Sequence, residues 1–141
     1  MCFRMDRNEL RTLSRVRLAE AQALLRAGMP DGAYYLAGYA VECALKACIA
    51  KATRRHEFPD QKRVNTSFTH SLKELIRVAE LRDALGEAAN ADPRFREYWD
   101  IVESWSEQSR YGRSSAERAR ALLEAVSNRN HGVIQWVRRY W

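Results

Sequence analysis

The sequence predicts an all-α protein, an up-and-down helical bundle of about five helices. Three observations carry that prediction. Apolar residues recur three and four apart over long stretches, strict apolar/polar alternation is nowhere sustained, and Gly28, Pro30 and Pro93 punctuate the periodic segments. The 141 residues suit one domain, for which about 100–200 residues is typical, so residues 1–141 are expected to form a single unit. A chain that is 46% hydrophobic and 30% charged should bury a core rather than stay disordered.

Residues 7–27 place Leu10, Leu13, Leu18, Ala21, Leu24 and Leu25 on one face, with Arg11, Arg15, Arg17 and Glu20 between them. Gly28 ends this helix because it tolerates the left-handed conformation, and Pro30 opens the next with Asp31 beside its positive end. From 30 to 51 the stripe Ala33, Ala37, Ala40, Val41, Ala44, Leu45 and Cys48 is rich in small residues. Small side chains let helices approach closely, so this is expected to be the central helix. Residues 53–69 lose the periodicity and hold Pro59 within RRHEFPDQKR, a basic loop. A short helix follows on Leu72, Leu75, Ile76 and Ala79, and residues 82–90 fit no single pattern. Asp92 before Pro93 is a cap and first-turn pattern, opening a helix with Phe95, Trp99, Val102 and Trp105 on one side. Ser114-Ser115-Ala116-Glu117 reads as a capping box starting one last long helix through Leu122, Val126, Ile134 and Trp141. The aromatic and apolar residues Phe95, Trp99, Trp105, Trp136, Val137, Tyr140 and Trp141 exceed what one such bundle is expected to cover, which predicts a homodimer.

The balance of 24 Lys and Arg against 18 Asp and Glu, a net +6, favours polyanionic partners. Seven Arg lie between Arg110 and Trp141 against only Glu117 and Glu124, so phosphate binding is expected there. Cys2, Cys43 and Cys48 lack Cys-x-x-Cys spacing and are expected to be free thiols. No apolar run reaches the roughly 18–20 residues of a membrane span, and the first residues lack an export signal's apolar core. A cytoplasmic location without membrane contact is therefore expected. No Gly-rich phosphate loop, Ser/His/Asp set or Cys/His pair is visible, and His56 has no companion ligands, so neither a cofactor nor a metal is expected.

Particular residues carry a resemblance. Gly28 at a helix end, Tyr34-Tyr35, and Glu42-Cys43-Ala44-Leu45-Lys46-Ala47 are followed in order by Thr69-His70-Ser71-Leu72 and by Arg110-Tyr111 before the final helix. This pattern resembles the HEPN domain family (higher eukaryotes and prokaryotes nucleotide-binding) over roughly residues 10–140. The resemblance implies a small helical bundle, commonly a homodimer, tied to nucleotide or RNA chemistry and often paired with a minimal nucleotidyltransferase in toxin–antitoxin systems. Many members are metal-independent ribonucleases whose Arg and His stand four to six residues apart near the final helix. Here that spacing is absent at the expected place; it occurs only as Arg63 and His70, entering the third helix.

The candidate ligand-binding residues are Glu42, Lys46, His70, Arg110 and Tyr111, with His70 and Arg63 the candidates for catalysis. Imidazole titrates near neutral pH, which suits a general acid or base, and Arg110 precedes a helix start that favours phosphate. If Glu42 is buried it must be paired, and Arg110 is its expected partner. His131 is expected on a solvated helix face. A non-cleaving nucleotide-, RNA- or partner-binding module is the leading expectation, a divergent ribonuclease the alternative.

Overall fold

The computed structural model describes residues 5–54 and 69–141, and among them the regular elements are helical. Helix α1 (Arg7–Arg26) starts at a capping box: Asp6 accepts from the Glu9 backbone N–H, and the Glu9 carboxylate accepts from the Asp6 N–H. It ends at Gly28, whose φ of +78° is open to glycine without strain, and the chain doubles back. Helix α2 (Pro30–Arg54) then runs alongside, tied at mid-length by the buried Ser14 hydroxyl donating to the Ala40 carbonyl at 2.7 Å. Ala33, Ala37, Ala40, Ala44 and Ala47 are all fully buried, so α2 is the central helix that its small residues predict.

Helix α3 (Leu72–Val78) buries Leu72, Leu75 and Ile76 against it, each full burial of such a side chain contributing about 1.5–3 kcal/mol. The turn into α4 (Arg82–Ala91) has a Schellman geometry, with Leu81 N–H donating to Ile76 and Glu80 N–H to Arg77. Its left-handed position is filled by Glu80 at φ +60° instead of by glycine. Residues 82–90, ambiguous in sequence, form this helix, which buries none of its side chains fully. Asp92 caps α5 (Pro93–Glu103) by accepting from the Arg94 and Phe95 N–H groups, and the Phe95, Trp99 and Val102 face is buried. A 3₁₀ turn (Glu107–Tyr111) leads to α6 (Ala116–Ser127) and α7 (Val133–Val137).

Several expectations need correction. The last helix is two, because the Asn128 carboxamide accepts from the N–H groups of Asn130 and His131 and turns the chain out of the helix. Gly132 is needed there: a Cβ would lie 2.4 Å from the Asn128 carbonyl oxygen. The cap of α6 is Ser115 alone, accepting from the Arg118 N–H, so the third position holds arginine and no box forms. His131 sits in the broken turn, its Nδ1 2.6 Å from Asp92, rather than on an uninterrupted helix face. Finally, the apolar surplus does not exist at most of the residues that suggested it. Trp99, Trp105, Trp136, Val137, Trp141 and Phe95 are all buried within one chain, and Tyr140 is half-buried.

The expected 53–69 loop also begins late, since α2 continues through Arg54. Arg63 and His56 lie outside the described residues.

Candidate functional site

Glu42 faces inward among the small residues of α2 and is 1% exposed. Taking a carboxylate out of water costs several kcal/mol unless it is paired and hydrogen-bonded. Both of its oxygens are engaged. Lys46 Nζ, one turn along α2, donates to Oε2 at 3.3 Å, and His70 Nδ1 lies 2.9 Å from Oε1. His70 is aimed there by the entry to α3, where Thr69 Oγ1 accepts from the Ser71 N–H and Ser71 Oγ from the Glu74 N–H. The far side of the ring is also occupied, with Nε2 3.4 Å from Glu107 Oε2. Glu107 opens the 3₁₀ turn capped by Ser106, and its other oxygen lies 3.6 Å from Arg110 Nη2. Lys46, Glu42, His70, Glu107 and Arg110 thus form one file, its two carboxylates set between basic groups.

An aromatic wall backs this file. Tyr35 stacks on Tyr39 with ring centroids 5.9 Å apart and meets Trp105 at 6.1 Å. Burial pushes the Tyr35 hydroxyl above its usual 10, opposed by the Arg110 guanidinium and reinforced by Glu42. Burial likewise drives Tyr39 up to about 12. Trp105 can lie flat on α2 only because residue 38 is glycine: a Cβ there would sit 2.2 Å from the indole carbons. The segment after the 3₁₀ turn is pinned to α2 by the Ser114 N–H donating to Asp31 at 2.6 Å and by Arg118 donating to the Tyr34 hydroxyl at 3.0 Å.

In front of His70 opens a cleft of about 580 Å³, lined by residues 69–73, 103 and 105–108. Lys73, Ser71, Ser106 and Gln108 supply donors, while Glu103 and Glu107 supply acceptors. Such a mixed lining can hydrogen-bond ribose hydroxyls and base edges. Among the described residues no group of three His, Cys, Asp or Glu side chains could hold a metal ion.

Glu42, Lys46 and His70 share direct contacts. Arg110 is not the partner of Glu42; it joins the group through Glu107 and through Tyr35, on which both charges act. Tyr111 is 75% exposed, with the Arg110 guanidinium carbon 4.7 Å from its ring centre. The seven arginines from 110 onward do not make one patch: Arg118 stacks on Tyr34 and Arg138 on Trp141. Glu107 was missed, because a lone glutamate in a turn carries no motif and its distance to His70 appears only after folding.

Among the described residues no helix is long and apolar enough to cross a membrane. No curated protein matches the chain, and no solved structure does. The family model described as HEPN domain matches residues 9–140, nearly the whole chain. With an all-helical fold whose α2 and α3 bring Glu42, Lys46 and His70 together, the chain belongs to the HEPN domain family.

Proposed function

We propose that this protein is a non-cleaving HEPN module that binds a nucleotide or RNA segment in the cleft at His70. Membership of the family ties it to nucleotide- and RNA-related function generally. The observation that carries the non-cleaving reading is the position of His70 between the Glu42 and Glu107 carboxylates. Metal-independent cleavage needs a group free to take the 2′-hydroxyl proton and a cation beside the scissile phosphate. Around His70 the imidazole is engaged on both nitrogens, Lys46 is held by Glu42, and Arg110 faces Glu107. Two carboxylates next to the ring repel a scissile phosphate set against it, so the cleft takes ribose hydroxyls and base edges while the phosphates of a bound chain lie outside it.

A homodimer and a minimal nucleotidyltransferase partner of a toxin–antitoxin pair belong to the same reading, on the family resemblance rather than on uncovered tryptophans. The divergent ribonuclease is favoured by one observation: a buried carboxylate on Nδ1 fixes the imidazole with Nε2 toward the cleft, as in acid–base dyads. The two readings separate on incubation of single-stranded and structured RNA with EDTA. The module retains RNA intact while binding it, and Arg110→Ala weakens binding. Cleavage abolished by His70→Ala would establish the ribonuclease.

A further inference from the structure

Arg7, Arg11 and Arg15 recur every four residues along α1, so their guanidinium groups share one stripe of the helix. Like charges at that spacing repel. The acids of the helix do not relieve them, since Glu9 accepts from the Asp6 N–H and Glu20 pairs with Arg17. The stripe meets Trp141 instead. Arg7 Nε donates to the Trp141 backbone oxygen at 2.6 Å, while the guanidinium carbons of Arg11 and Arg15 lie 5.0 and 4.8 Å from the indole centroid. Arg138, arriving from the end of α7, adds a third cation at 5.3 Å from the same centroid.

Stacking holds these three side chains in place without satisfying their N–H groups. The Nε atoms of Arg11 and Arg138 are shut off from water and have no hydrogen-bond acceptor among the described residues. Burial, and then the nearby Arg15, holds the Arg138 guanidinium below its ordinary value, with no carboxylate acting the other way. Three guanidinium groups gathered on one indole, none in an ion pair among the described residues, leave their outer N–H edges, not the buried Nε atoms, to take a multivalent oxyanion. Guanidinium forks match the tetrahedral oxygens of phosphate, and their planar faces remain on the indole while their edges donate.

We propose that Arg11, Arg15 and Arg138, gathered on the Trp141 ring, form a binding site for a phosphate-type oxyanion carrying two or more negative charges. The site shares no residue with the His70 cleft and does not rest on the function proposed for it. Free pyrophosphate and the phosphates of an RNA chain present the same chemistry to it.

The test is thermal unfolding of the full chain in pyrophosphate against sodium chloride at matched ionic strength, with anisotropy of labelled single-stranded RNA as a second arm. Pyrophosphate should raise the wild-type midpoint beyond the chloride control. Arg15→Gln, at an exposed position, should fold normally and weaken pyrophosphate binding at least about tenfold, the usual scale for losing one charge-assisted contact. Arg138→Lys, which keeps the charge and loses the fork, should weaken it as well. RNA binding that pyrophosphate competes away and Arg15→Gln reduces would identify the backbone phosphates as the source. RNA binding insensitive to both would leave the free ion. Equal midpoints in pyrophosphate and chloride, or an undiminished response in Arg15→Gln, would overturn the proposal. RNA binding lost in Arg110→Ala alone would bear only on the cleft.

Discussion

His70 Nδ1 lies 2.9 Å from Oε1 of Glu42, a carboxylate that is 1% exposed and whose other oxygen is held by Lys46. The pair couples the fold to the site. Helix α2 needs a partner for its buried charge, and the residue that supplies it enters from the start of α3 and faces the cleft.

Removing either partner should therefore cost stability as well as reshape the cleft. Lys46→Met leaves Glu42 with the imidazole alone, and His70→Ala leaves it with Lys46 alone. Each is expected to lower the unfolding free energy by about 2–3 kcal/mol, the usual penalty for depriving a buried charged group of a hydrogen bond. Urea denaturation measures this. Losses below about 0.5 kcal/mol in both variants would show that water, not these side chains, satisfies Glu42.

Gly38→Ala should be poorly tolerated although alanine is the better helix former. The added methyl would lie 2.2 Å from the Trp105 ring, and neither the indole nor the α2 backbone can yield cheaply. A loss of about 3 kcal/mol is expected, at the upper end for overpacking, with an altered near-ultraviolet circular dichroism spectrum. A gain in stability would place Trp105 elsewhere.

Glu80→Gly should have the opposite sign. Glu80 occupies the left-handed position of the α3–α4 turn at φ +60°, where a side chain costs about 1 kcal/mol and glycine does not. Glycine also frees the unfolded chain, so the net gain should be somewhat less than about 1 kcal/mol. A thermal midpoint at or below wild type would show that the turn is not strained.

Thiol titration tests the packing of α2. Burial raises Cys43 and Cys48 each to about 12, above the ordinary 9.0. The thiolate is the reactive form, so at about pH 8 both should resist a disulfide reagent in the folded protein and react once denaturant is added. Prompt modification of all three cysteines without denaturant would mean that α2 is not the closed centre of the bundle.

Much of the fold was legible in the sequence. Period 3.6 marks α1 and α2, and Asp92 with Pro93 marks the start of α5, because both signals are local. The break at Asn128 was hidden: apolar residues continue on either side of it, and the turn depends on one carboxamide accepting two N–H groups. The tryptophans misled because periodicity shows that a residue is apolar-facing without showing what covers it. Trp105 is covered by a glycine sixty-seven residues earlier in the chain. In the site, Glu42, Lys46 and His70 were legible as motif residues, whereas the pairing of His70 with Glu107, and the displacement of Arg110 from Glu42 to Glu107, arise only from three-dimensional placement.

Whether the His70 cleft binds nucleotide or RNA without cutting it is decided by following both outcomes in one experiment. Wild type, His70→Ala and Arg110→Ala are incubated with labelled RNA in EDTA, and binding and chain integrity are followed together. Intact RNA with all three proteins, salt-sensitive binding by wild type and weaker binding by Arg110→Ala are expected. RNA cut by wild type and spared by His70→Ala would contradict the non-cleaving reading.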